Sequence, residues 1–226
     1  MRFFYAVLFV AVIVPLAFGD SIPPCPGCDL PLRGMTIGGF FGGGTFSADA
    51  DSPTVAAAMG IAAMPAYALR AGGAVYFYPG GRYRIGICGG YNWAGTEEGD
   101  RYIKTDALWG TILPELVRTA GTVRITGGLG IGGGMSTIRG SETGEAGEGE
   151  KEQIPMFVLL PKFGIELPFG SAGAMSVDFS YQCFFGEDRT ATWGEDSELH
   201  FSPRDIGGPG FSLGLQFGKV TTAEKR

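Results

Sequence analysis

The chain is poor in histidine, cysteine and clustered basic residues, and each shortage excludes something. Histidine occurs once in 226 residues, at His200, no EF-hand spacing of carboxylates is present, and neither a resident metal nor a cofactor is expected. Lys and Arg number 17 against 23 Asp and Glu, and they form no basic patch, so nucleic acid is not an expected partner. No segment longer than one or two turns has clean helical periodicity, which argues against an α-helical domain. After the first twenty residues there is no good candidate for a membrane-spanning helix. Disorder is excluded too, because 45% of the chain is hydrophobic and 17 Phe, 8 Tyr and 3 Trp are spread along it.

What the chain has is glycine, 40 residues of it, or roughly 18% against an average near 7%. These glycines lie inside strand-like segments, where they mark bends or close backbone approach. At the N-terminus, "MRFFYAVLFVAVIVPLAFGD" carries Arg2, an apolar run from Phe3 to Phe18, and small residues at Ala17 and Gly19. That is the pattern of a secretory signal peptide, residues 1–19, cleaved before Asp20. Export favours disulfides, and Cys25 and Cys28 of "CPGC" are expected to form a tight local one. Cys88 and Cys183 fall on opposite strand faces and are expected as two buried free thiols.

Period-two alternation picks out eight segments: Met35–Phe46, Ala66–Tyr78, Arg82–Trp93, Arg101–Arg118, Thr122–Ile138, Ile154–Phe169, Ala174–Phe185 and Phe211–Val220. "TVAAAMGIAAM", Thr54 to Met64, reads as a short helix or the top of the second strand. "PGG", "TAG" and "GSAG" make tight turns. The remaining connections, Ser47–Pro65, Ala94–Asp100, Arg139–Gln153 and Gly186–Gly210, are long. Short and long alternate, so an up-and-down arrangement gathers the turns at one end and the loops at the other.

The two faces of the strands want different solvents. In "YRIGICGGYNW", Tyr83, Ile85, Ile87, Gly89, Tyr91 and Trp93 share one face, and Arg84, Gly86, Cys88, Gly90 and Asn92 the other. The apolar face continues through Leu69, Val75 and Phe77, Ile125, Leu129 and Ile131, Val177 and Phe179, and Phe211, Leu213, Leu215 and Phe217. The opposite face carries Arg70, Arg84, Arg124, Lys162, Glu166, Asp178 and Gln216 among glycines and serines. Buried unpaired, such charges are costly, so Arg70, Arg84, Arg124, Lys162, Glu166 and Asp178 are expected to form a paired network in a lumen. Ten residue steps of roughly 3.3 Å, tilted by about 40°, span on the order of 25 Å, the apolar band of an outer-membrane barrel. Eight strands leave an interior only wide enough for side chains, so no open pore is expected.

On this architecture, over Met35 to Val220, the chain resembles the small eight-stranded outer-membrane barrels, which include the transmembrane domain of outer membrane protein A and related adhesion or resistance barrels. The resemblance implies an all-β, antiparallel up-and-down transmembrane barrel with short periplasmic turns and long extracellular loops. It also implies residence in the bacterial outer membrane, contact with membrane lipid and lipopolysaccharide, and insertion by the barrel-assembly machinery. Residues 20–34 would be a periplasmic segment and 221–226 a tail. Where members often end on an aromatic residue, "KVTTAEKR" follows Phe217 and Gly218 here. The expected role is structural, surface-interacting or envelope-maintaining.

Sixteen of the 23 acids fall in the four long connections, and removing Arg2 takes the net charge from −6 to −7. Solvated loops are the simple reading, with divalent cations as candidate partners for the carboxylates. "GLGIGG", Gly128 to Gly133, matches a dinucleotide fingerprint, but no helix follows it, so the match is read as coincidence. "ELHFSP" puts Glu198, His200 and Ser202 on one face if extended, in the roles of acid, base and nucleophile. "HFSPRDIGGPGFSLGLQF" resembles the end of the lipid A 3-O-deacylase barrels, which would make His200 the base and Ser202 the nucleophile. Pro203 stands where that family has Asn. A deacylase-like hydrolase is therefore one alternative function, and a periplasmic lipocalin-like carrier, with its apolar face inward, is the second.

Overall fold

The computed structural model describes residues 32–45, 67–98, 101–141, 150–170, 172–193 and 197–222. The proposed signal peptide, Cys25 and Cys28, and the Thr54–Met64 segment lie outside the described residues. Eight strands close into one antiparallel barrel: β1 (Leu32–Thr45), β2 (Tyr67–Pro79), β3 (Tyr83–Glu98), β4 (Arg101–Ala120), β5 (Val123–Ser141), β6 (Glu150–Pro168), β7 (Gly173–Gly186) and β10 (Gly208–Thr222). Each pairs with its sequence neighbour in the barrel, and β10 closes on β1 from Leu32↔Thr222 to Gly44↔Gly210. Closure leaves no free sheet edge, and an even-stranded antiparallel ring is the outer-membrane form of the fold. Among the described residues no helix is long and apolar enough to cross a membrane.

The barrel reaches from Leu32 to Thr222, beyond the expected 35–220 at both ends. The connection expected over Ala94–Asp100 is not a long loop: β3 and β4 stay paired to Glu98↔Arg101. Likewise β5 and β6 pair as far as Gly140↔Glu150. Alternation of an apolar face ends where the membrane ends, but backbone pairing needs no apolar face, so the ladders continue past it. Twenty residues of β4 run roughly 60 Å, about 45–50 Å in height at a 40° tilt, well beyond the ~25 Å apolar band.

The last long connection holds structure that the acid-rich sequence did not suggest. Strands β8 (Arg189–Trp193) and β9 (Ser197–Phe201) form a separate two-stranded sheet, followed by a 3-10 turn, Pro203–Ile206. At the opposite end the barrel turns tightly, and Gly80 and Gly81 take φ of 109° and 121°, which only glycine adopts without strain.

Met35, Ile37, Phe77, Ile87, Leu108, Ile112, Ile131, Leu213 and Phe217 all stand exposed on the outer wall, at 50–67% of their surface. Within the apolar band the charges Arg70, Arg84, Glu115, Lys162, Glu166 and Asp178 point inward, opposite to what a soluble carrier barrel with an apolar interior requires, so the lipocalin-like alternative does not fit. The lumen is also not simply polar as expected. Tyr76, Tyr78, Trp109, Leu113, Val158, Leu160, Phe184 and Ile206 pack there as a core. Cys88 is buried inside, whereas Cys183 is only half-buried and faces outward, and neither is in a disulfide. The inward glycines of "GLGIGG" act as spacers within β5: a Cβ at Gly128 would stand 2.7 Å from Glu115 Cγ.

Candidate functional sites in the lumen and at the outer rim

The lower lumen, towards the short turns, is built around Arg84, which is fully buried. Its Nε donates to Glu115 Oε2 at 2.7 Å, and its Nη1 donates to Glu166 Oε1 at 2.6 Å and to Tyr78 Oη at 2.7 Å. The guanidinium also lies over the Tyr76 ring, 3.8 Å from its centroid. Lys162 Nζ donates to Tyr76 Oη at 2.9 Å and sits 3.1 Å from Asp178 Oδ1 and 3.5 Å from Glu115 Oε1. Gln216 Nε2 donates to Glu166 Oε1, Thr36 Oγ1 donates to Gln216 Oε1, and Ser176 Oγ donates to Asp178 Oδ2. These side chains come from β1, β2, β3, β4, β6, β7 and β10. A network so placed clamps the cylinder from within and blocks it.

Of the charges read from sequence, Arg84, Lys162, Glu166 and Asp178 meet in this network. Arg124 is half-buried beside it, at the register position opposite Glu166 on β6. Arg70 is apart from it, higher in the barrel. Glu115, the carboxylate that bridges Arg84 and Lys162, escaped sequence reading. The inward side chains of β4 are Trp109, Thr111, Leu113, Glu115 and Val117, and the outward ones include Leu108, Ile112 and Leu116, so neither face stands out as polar. The one usable signal was Glu115 in a strand with apolar residues on both sides.

The upper lumen is closed by different chemistry. Ile206, at the end of the 3-10 turn, is fully buried, and its carbonyl accepts from Asn92 Nδ2 at 3.4 Å. Asn92 Nδ2 also donates to Gln182 Oε1 at 2.5 Å, and Asn92 Oδ1 accepts from Trp109 Nε1 at 3.1 Å. Phe40 stacks on Trp109, ring centroids 6.3 Å apart. Arg70 Nη2 donates to the Gly208 carbonyl at 3.1 Å, just past the turn. Apolar plug and ionic clamp together leave only a small cavity of about 50 Å³ between them.

Ser202 precedes the turn, and its Oγ accepts from the Arg204 backbone N–H at 3.4 Å, the geometry of a cap. Glu198 and His200 lie on β9, paired with Thr192 and Thr190, and their side chains are outside the described residues. Of the loop carboxylates, Glu97 pairs with Lys104 at 3.2 Å across β3 and β4. Asp49, Asp51, Asp100, Glu142, Glu145, Glu148, Glu195 and Asp196 lie outside the described residues.

On the outer wall the register records a change of solvent. Tyr91, Leu108, Met135 and Pro155 stand in one row across β3 to β6. The next outward row is Trp93, Asp106, Thr137 and Gln153, and the one beyond it Gly95, Lys104, Arg139 and Lys151. The surface thus passes from apolar to polar to cationic in two steps, with Tyr91 and Trp93 stacked at the boundary, 5.7 Å between centroids. Aromatic residues at this level form the girdle of a membrane barrel. Arg139 is 3.6 Å from Asp106, and a groove of about 520 Å³ runs past Trp93, Lys104, Asp106 and Arg139. The molecule is a closed, integral-membrane β-barrel of outer-membrane type, with no open pore among the described residues.

No protein-family model matches the chain, and no curated protein matches it. Solved structures similar to it include Ail, the attachment invasion locus protein of Yersinia pestis, in complex with the heparin analogue sucrose octasulfate, at 12% identity and a TM-score of 0.46 over 85% of this chain and 99% of that one. Neisserial surface protein A has 7% identity and a TM-score of 0.47 over 82% and 96%. The N-terminal barrel domain of Pseudomonas aeruginosa OprF has 8% identity and a TM-score of 0.39 over 83% and 98%.

Proposed function

We propose that this chain is exported by a cleaved N-terminal signal peptide and resides in the bacterial outer membrane, where it serves a structural or surface-interaction role without conducting. The observation that carries this reading is the three-row change on the outer wall, Leu108–Met135–Pro155 to Asp106–Thr137–Gln153 to Lys104–Arg139–Lys151. Lys104 is paired with Glu97 and Arg139 with Asp106, and the exposed cations of the row still stand where an anionic headgroup layer attracts basic side chains. Lipid phosphate, including that of lipopolysaccharide, is the chemistry that fits such a row above an apolar band. The ladders of β3 to β6 then stand clear of the membrane and present their ends to the exterior.

The deciding experiment is migration of the membrane fraction in mild SDS, unboiled against boiled. A closed barrel resists unfolding until heated and shifts in mobility on boiling, and it leaves the membrane only with detergent. Release into the soluble fraction with no shift would overturn the proposal.

A further inference from the structure

Among the described residues Arg70 is a buried lumen cation with no carboxylate paired to it. It is 3% exposed, and its Nε and Nη1 have no hydrogen-bond partner among the described residues. The carboxylates that share the lumen are engaged elsewhere: Glu115 and Glu166 with Arg84, and Asp178 with Lys162. The wall against which the guanidinium lies is glycine. A Cβ at Gly44 or at Gly210 would collide with it, so neither position can supply a counter-charge. Guanidinium stays ionised in proteins, and an isolated buried charge is among the costliest groups to leave unpaired. The small lumen cavity is lined by Arg70 together with Ser180, Ser212 and Gln182, and also by Lys162 and Asp178, which are paired with each other. Ser212 shares a register row with Arg70, across Gly42. Gln182 accepts from Asn92 through Oε1, which leaves its amide N–H groups available to donate. About 50 Å³ has room for one to three water-sized bodies, which excludes any large ligand.

We propose that this cavity binds a small monovalent anion, of halide or carboxylate size, on Arg70. The anion completes the charge balance of the upper lumen, as the acids do for Arg84 below. Its binding ties β2, which carries Arg70, to β10, which carries Ser212 and follows the plug.

The test uses the folded protein in detergent, refolded from urea in sodium gluconate, whose anion is too large for the cavity, and then in mixtures with sodium bromide at constant ionic strength. The expected result is a saturable rise in the unfolding midpoint with bromide. Arg70→Gln abolishes the rise, and Ser212→Ala raises the bromide concentration needed for half the effect several-fold. Crystals grown in bromide should show anomalous density at contact distance from Nε and Nη1. Absence of a saturable rise in the unaltered protein, or its persistence in Arg70→Gln, would overturn the proposal, as would density for water alone beside the guanidinium. If Arg70→Gln does not fold, Ser212→Ala and the bromide crystal still decide.

Discussion

The two halves of the lumen solve one problem in two ways. Towards the turns, five ionised side chains from β3, β4, β6 and β7 are joined by ion pairs of 3.5 Å or less and bonded further by Tyr76, Tyr78 and Gln216. Towards the loops, Trp109, Phe40 and Ile206 pack with Asn92 and Gln182 under a 3-10 turn. The lower half is held by electrostatics within the wall itself, and its strength depends on every partner being present. The upper half is held by packing of a segment that enters from outside the wall, and it depends on fit. A barrel of eight strands encloses too little volume for one continuous hydrophobic core, so it divides the work between a clamp and a plug.

Breaking the clamp has the largest expected effect. Arg84→Met leaves Glu115 and Glu166 buried without their shared cation, and removing one partner of a buried ionic group costs ~3–5 kcal/mol. Urea titration in detergent should show that loss as a lower midpoint. Replacing the whole unit, Arg84→Met with Glu115→Leu and Glu166→Leu, removes the stranded charges and should recover most of it. A single substitution costing no more than a surface change would show that the clamp is not what holds the lower half.

Breaking the plug is milder and has a distinct signature. Ile206→Ala opens a cavity under the turn at a cost of about 2–3 kcal/mol, the lower part of the range for buried aliphatic truncation. Cys88 lies beneath the plug, 4% exposed and on the cavity wall. With the other cysteines changed to serine, Ile206→Ala should speed labelling of Cys88 by a charged thiol reagent added outside, whereas Gly214→Ala should not. Equal labelling rates in the two variants would mean that the turn is not the seal. Overpacking tests the spacer role: Gly128→Ala, which pushes a methyl against Glu115 and the Pro114 carbonyl, should cost about 1–3 kcal/mol and lower the midpoint of the same urea titration. No change there would remove the need for glycine at that position.

How much of this could be read in advance depended on contrast within each strand. Arg84 was legible because Tyr83 and Ile85 flank it on a clean alternation, and a charge on the inner face of such a strand has only the lumen to enter. Glu115 was hidden because β4 is apolar on both faces: its outer side meets lipid and its inner side meets the core, so period two vanishes. The β8–β9 hairpin was hidden by its neighbours. "RTATW" alternates, yet it is five residues long and sits among acids, and composition outweighed pattern. The plug was invisible for a different reason. Nothing local marks Ile206 as buried, because its burial comes from the closure of strands far away in sequence.

Ser202 gives the smallest effect and the sharpest choice between functions. As a cap it accepts one backbone N–H at 3.4 Å, from Arg204. Caps on full helices contribute ~0.5–2 kcal/mol, and a single 3-10 turn with a long bond belongs at the lower end. Ser202→Ala is therefore expected to cost ~0.5 kcal/mol, with Cys88 labelling slightly faster than in the parent and far slower than in Ile206→Ala. A nucleophile would behave otherwise: the same substitution would leave stability nearly unchanged and eliminate release of fatty acid from lipid A. Mass spectrometry of lipid A from cells producing the parent and the Ser202→Ala protein separates the two, and the cap predicts identical acylation in both.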